Sequence, residues 1–216
     1  MARARLVIDR PEDFGDGLEP RGGAVRRVRA DAQRSLDALL RAAKEVFATS
    51  GVDAPVREIA EKSGLGLGTL YRHFPQRSDL IAAVFKSEID ACADAAQIMS
   101  GEREPFEALA NWMQRYAAFV AAKRGLAKAL HSGDPALDSL PGYFDRRLRP
   151  ALRTLLEAAA DAGEIRTDVD ADELLGAVAS LCMSSHNAEP GRAERMVSLL
   201  VDGLRHGAKR SVNAPP

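Results

Sequence analysis

The chain has 216 residues, of which 46% are hydrophobic, 28% charged and only 5% aromatic, a balance that supplies a globular core and excludes a wholly disordered chain. Ala, Leu, Arg, Asp and Glu recur while β-branched and aromatic residues are sparse, which argues for helices and against a β-sandwich. The net charge of −1 hides an asymmetry: residues 21–86 carry 12 Lys/Arg against 7 Asp/Glu, and residues 87–216 carry 15 against 19. A basic first third on an acidic remainder suggests an anionic partner for the former, nucleic acid among the candidates.

Cys92 and Cys182 have no CxxC or CxxH neighbour, so neither a disulfide framework nor a zinc site is expected. The N-terminal apolar run Leu6-Val7-Ile8 is too short for a secretory segment. The near-apolar stretch Leu174–Met183 is about half of the ~20 residues a spanning helix needs. A soluble, cytoplasmic protein is expected, with no membrane partner.

Residues 1–28, with Pro11, Gly15, Gly17, Pro20, Gly22 and Gly23, have no sustained periodicity and predict a flexible tail ending in the basic cluster Arg26, Arg27 and Arg29. Leu36, Leu39, Leu40, Ala43, Val46 and Phe47 then form one apolar stripe at helical period, predicting a helix over 31–50 with Asp31 as N-cap and Gly51 as stop. After the turn at 52–55, Val56–Ser63 gives two helical turns ending at Gly64, and Leu65–Phe74 another brief helix closed by Pro75. A longer pattern with Leu80, Ile81, Val84, Phe85 and Ile89 runs from Arg77 to about Met99. Further helices are predicted over Phe106–Lys123, Leu126–Leu130, Tyr143–Ala162 with a kink or restart at Pro150, from Asp170 or Asp172 to about Ser185, and over 192–207. The fold class is all-α, with about nine helices.

The segment 56–74 has the form of a helix-turn-helix. Ala60 is small where two helices cross, Gly64 can take the positive φ of a tight turn, and Ile59, Leu65 and Leu70 can lock the pair onto the preceding helix. The run Gly68-Thr69-Leu70-Tyr71-Arg72-His73-Phe74, followed by Arg77 and Leu80 and preceded by Val46-Phe47 and Gly51, resembles the N-terminal domain of the TetR family of transcriptional regulators over about residues 34–85. That resemblance implies a homodimeric regulator that binds an operator in double-stranded DNA. It is expected to be a repressor released by a small molecule. The domains would be a tail over 1–28, a DNA-binding domain over 29–76, a connecting helix over 77–99, a sensing and dimerising domain over 100–208 and a tail over 209–216.

Carried over residue by residue, Tyr71 and His73 stand where the family places phosphate contacts, and Thr69 could bond a phosphate or a base edge. Arg77 stands where the family usually has lysine, as a phosphate-neutralising cation. Arg29, with Arg26 and Arg27, could reach DNA as an arm; Leu67 could touch a thymine methyl beside Gly68, and Arg72 could reach guanine or stand as a solvent-facing charge. Leu70 and Phe74 are core. The recognition helix opens Gly66-Leu67-Gly68 with no Ser or Thr cap.

In the C-terminal domain, Gly176, Ala177, Ala179, Ser180 and Ser184 would let two copies approach closely, or the same faces could close the monomer's own core. Trp112, Tyr116, Phe119, His131, Met183 and His186 combine apolar bulk with a few polar tips and are the candidate ligand-binding residues, each also compatible with ordinary core packing. The scarcity of clustered charge speaks against a highly charged ligand. An enzyme is not expected: the four histidines are scattered, and no catalytic, metal-binding or cofactor-binding motif is present. The competing reading from another class is a DNA-bound adaptor whose C-terminal domain docks a protein; a deep apolar cavity would favour sensing, a filled core with an apolar surface patch docking.

Overall fold

A computed structural model describes residues 22–122, 134–184 and 191–206. The helices are α1 (Gly22–Ser50), α2 (Val56–Ser63), α3 (Leu67–His73), α4 (Arg77–Glu102), α5 (Pro105–Ala122), α6 (Pro135–Asp138), α7 (Leu140–Asp161), α8 (Ala171–Ser184) and α9 (Arg192–Arg205). No strand occurs among the described residues. The expected helix at 126–130, with its loop, and the tail from 209 lie outside them.

Helix α1 begins at Gly22 rather than at Asp31, so Arg26, Arg27 and Arg29 belong to a helix rather than to a loose arm, and the rest of the expected tail, 1–21, lies outside the described residues. Nothing between Ala24 and Asp31 breaks a helix, and Asp31 pairs with Arg34 one turn on instead of capping. Helix α7 runs through Pro150 without restarting. Between the two candidate caps of α8, Asp170 is the one used: its Oδ1 accepts from the N–H groups of Asp172 at 2.8 Å and Glu173 at 3.0 Å.

Three apolar clusters organise the chain, and α4 contributes to each of them. In the head, Leu39, Ala43 and Val46 of α1 pack with Ile59, Ala60, Leu70 and Phe74, and α4 closes this core with Leu80 and Val84. One residue further round, Ile81, Ala82 and Phe85 face Leu137 and Leu140 with Phe47 and Val52 alongside, forming the junction between head and bundle. Ile89, Cys92 and Ala96 then enter the bundle core with Trp112, Leu148, Leu152, Val178 and Val197. Successive turns of α4 are thus bound into head, junction and bundle.

Buried polar groups tie the bundle together. The Trp112 indole N–H donates to the Cys92 carbonyl at 2.8 Å and the Tyr116 hydroxyl to the Leu175 carbonyl at 3.3 Å, joining α5 to α4 and to α8. Glu164 accepts from the Phe106 N–H at 2.8 Å, serving the start of α5 from a loop 58 residues away. Both cysteines are buried and unpaired with each other; burial pushes the Cys92 thiol up to about 11.

Candidate nucleic-acid interface and effector cavity

The turn between α2 and α3 depends on Gly64. It sits in the left-handed region at φ 71°, with its N–H on the Glu61 carbonyl and the Leu65 N–H on the Ala60 carbonyl, both at 3.1 Å. This Schellman closure satisfies the last carbonyls of α2 and turns the chain sharply into α3, at a φ that would cost another residue type ~1–2 kcal/mol. Gly66 precedes α3 in an extended conformation and no side chain caps that helix, as its sequence suggests. Leu70 and Phe74 are buried beneath α3, so the short helix is held by the head core rather than by its own propensity.

The outward side of α3 presents Gly68, Tyr71 and Arg72, with Thr69 and His73 half-buried beside them. Tyr71 is 50% exposed. Arg72 lies back along its own helix, its Nε on the Gly68 carbonyl at 3.1 Å and one Nη on the Thr69 hydroxyl at 3.3 Å. Arg29 is exposed on α1.

Two expectations for this surface change. Arg77 is turned inward: its Nε donates to the Val52 carbonyl at 2.9 Å and one Nη to the carbonyls of Val52 and Ala54, the latter at 2.6 Å. These bonds tie the first turn of α4 to the turn between α1 and α2, so Arg77 braces the head instead of presenting a free cation. Leu67 is half-buried and packs against the head core, so its side chain is largely committed to the fold.

In the bundle, a cavity of about 370 Å³ opens between four helices. Phe85 and Ile89 of α4, Tyr116, Phe119 and Val120 of α5, Leu140, Pro141 and Phe144 of α7, and Ala179 and Met183 of α8 line it. Of the candidate ligand residues, Tyr116, Phe119 and Met183 come together here. Trp112 does not: it is fully buried, stacked on Tyr116 with centroids 5.7 Å apart, and belongs to the core. His131 and His186 lie outside the described residues. Phe85, Ile89, Val120, Leu140, Pro141, Phe144 and Ala179 were not foreseen as lining, because a cavity wall and a filled core give the same apolar stripe in one helix.

Beside the cavity, α4 and α7 are joined by a polar clasp. The Tyr143 hydroxyl donates to Asp90 at 2.7 Å, and Arg147 bridges Asp90 at 2.6 Å and Asp94 at 2.7 Å. The bond to Asp90 raises the Tyr143 phenol above its ordinary value.

The exposed faces of α8 and α9 carry Gly176, Ala177 and Ser180 on one helix, and Met196, Leu199 and Gly203 on the other. Leu199 is 68% exposed, and Gly176 has nothing within 4 Å of the position a Cβ would occupy. Among the described residues no group of three or more His, Cys, Asp or Glu could hold a metal ion, and no helix is long and apolar enough to cross a membrane.

A helix-turn-helix head carried by a long helix on a larger helical bundle defines a class of DNA-binding regulators. Residues 39–84 match the family of bacterial regulatory proteins named after TetR, and residues 104–206 match the C-terminal domain of SbtR-like transcriptional regulators. The TetR transcriptional regulator SCO0520 from Streptomyces coelicolor is 37% identical, with a TM-score of 0.67 over 78% of this chain and 97% of that one. The TetR transcription regulatory protein from Mycobacterium vanbaalenii is 35% identical, with a TM-score of 0.66 over 82% of this chain and 99% of that one. An HTH-type transcriptional regulator of Staphylococcus aureus strain USA300 is 27% identical over 123 residues, covering 56% of this chain and 66% of that protein, just under two thirds of its length. The chain belongs to the TetR family of transcriptional regulators, and these relatives are regulators rather than enzymes.

Proposed function

We propose that this protein is a homodimeric, cytoplasmic repressor that binds operator DNA through α3 and leaves it when a small molecule enters the bundle cavity. The observation that carries the reading is the double use of α4: Phe85 and Ile89 wall the cavity, while Leu80 and Val84 of the same helix close the head core. A ligand that fits the cavity better in one setting of α4 shifts the population of head positions. Only a pair of heads spaced for successive major grooves, ~34–36 Å apart, binds both half-sites. The same cavity favours sensing over the adaptor reading, in which the bundle would be filled.

On the head, Tyr71 and His73 are the proposed phosphate donors, Thr69 and Arg72 the polar groups nearest the base edges, Gly68 the point where backbone can approach DNA, and Arg29 an added contact from α1. The exposed faces of α8 and α9 form the proposed dimer contact, a four-helix arrangement in which small residues admit close approach.

The test is a fluorescence-anisotropy titration on DNA from upstream of the protein's own gene, against a scrambled fragment, at 50 and 200 mM salt. Selective binding that weakens with salt is the expected result; no binding to either fragment at low salt overturns the reading.

A further inference from the structure

We infer that the cavity takes a neutral, hydrocarbon-rich molecule of roughly one or two rings, held without an ionic or hydrogen-bonding anchor. This rests on the effector reading above and specifies its ligand. Among the described residues none of the cavity's lining is charged, and the only hydroxyl is that of Tyr116. That hydroxyl is turned to the Leu175 carbonyl at 3.3 Å, so its one proton is already placed.

Among the described residues, the charges adjoining the lining have partners, Asp145 beside Phe144 pairing with Arg149 at 3.9 Å. Asp90, next to Ile89, accepts from Tyr143 and Arg147, and Lys86, next to Phe85, lies over the Tyr143 ring at 5.8 Å from its centroid. Among the described lining residues none offers a charged partner to replace the water that a carboxylate or ammonium would shed on entering, a loss that burial of carbon does not recover. A neutral hydrocarbon loses nothing comparable, and gains from every CH group removed from water.

Size and wall shape narrow the class. An apolar cavity of ~150 Å³ accepts one benzene, so about 370 Å³ suits a fused or linked pair of rings or an aliphatic body of the same bulk. Tyr116, Phe119 and Phe144 form a triad of rings in mutual contact, with centroids 6.0–6.4 Å apart. The rings of Phe119 and Phe144 lie within 27° of parallel, and Tyr116 is tilted 50° to Phe144. Such a wall presents both faces and edges, the two surfaces on which another aromatic ring packs. Met183, on the α8 side, can adjust to the ligand's outline.

The experiment is calorimetric titration of the full chain with naphthalene and with 2-naphthoate at neutral pH, repeated on Ala179→Phe and Met183→Trp, which fill the cavity from α8. Naphthalene should bind at least tenfold more tightly than 2-naphthoate, and each variant should weaken it at least tenfold. Equal or tighter binding of the anion, no binding of naphthalene, or binding untouched by both variants overturns the inference. Anisotropy with operator DNA separates the two readings. Naphthalene that binds without releasing DNA upholds the ligand class and defeats the effector reading; release by 2-naphthoate alone does the reverse.

Discussion

The Arg77 Nε donates to the Val52 carbonyl oxygen at 2.9 Å, joining residues 25 positions apart and fixing where α4 leaves the head. Replacing Arg77 by Ala leaves the Val52 and Ala54 carbonyls without this partner. The head should lose about 1–2 kcal/mol of stability, measurable by urea unfolding. Operator affinity should fall with the slope of log K against log salt unchanged. A slope reduced by about one would mark Arg77 as a phosphate contact after all.

Tyr71 and His73 are the proposed phosphate donors. The double variant Tyr71→Phe, His73→Ala should weaken binding to operator and to scrambled DNA by the same factor. An anisotropy titration in which only the operator is affected would contradict that assignment and point to base contacts.

Gly64 and Gly66 occupy the same turn for different reasons, and their substitutions should act in opposite directions. Gly64→Ala places a Cβ at φ 71° and should destabilise the head by ~1–2 kcal/mol. Gly66 has ordinary negative φ and no atom within 4 Å of an added Cβ. Gly66→Ser supplies the missing cap and should stabilise by ~0.5–1 kcal/mol. Thermal denaturation of both variants checks the pair of signs.

The clasp between α4 and α7 carries a pH dependence. Its hydrogen bond to Asp90 raises the Tyr143 phenol, so the folded state holds that proton more tightly than the unfolded chain, in which the phenol titrates near ~10. The stabilisation is complete below that value and is lost as pH rises through the raised folded value. Burial raises Tyr116 in the same direction. The stability difference between the wild type and Tyr143→Phe should be constant from pH 7 to about 9 and shrink above pH ~10. A flat difference across urea titrations up to pH 11 would remove the role of the clasp.

Leu199 stands 68% exposed on α9, where a charge should leave the monomer fold intact. Leu199→Glu should shift sedimentation toward the monomer, keep the helical circular-dichroism spectrum, and lower operator affinity at least tenfold as the half-sites lose their linkage. An unchanged sedimentation coefficient would move the dimer contact elsewhere.

Much of this architecture was legible one helix at a time. The stripe Leu36, Leu39, Leu40, Ala43, Val46 and Phe47 does face the head core, because a 3.6-residue period leaves little choice of buried face. Gly64 was legible as a left-handed turn and Asp170 or Asp172 as a helix start for the same local reason: backbone sterics and first-turn hydrogen bonding act within a few residues. The motif Thr69–Phe74 with its flanks led directly to the family. What the sequence by itself determined is therefore the longer helices, most of their ends, and the helix-turn-helix head; the short helix α6 (Pro135–Asp138) was not foreseen.

The tertiary structure decided what those faces meet. Trp112 and Phe144 are both aromatic residues of bundle helices, yet one is sealed in the core and the other walls a cavity; the difference lies in residues of other helices. Arg77 is likewise undetermined locally, since a long flexible side chain can reach solvent, phosphate or a carbonyl with similar ease. Its direction follows from the Val52 and Ala54 carbonyls brought beside it by the turn between α1 and α2. Burial periodicity is a property of one helix, whereas cavities, braces and clasps are properties of several, and they exist only once the chain has folded.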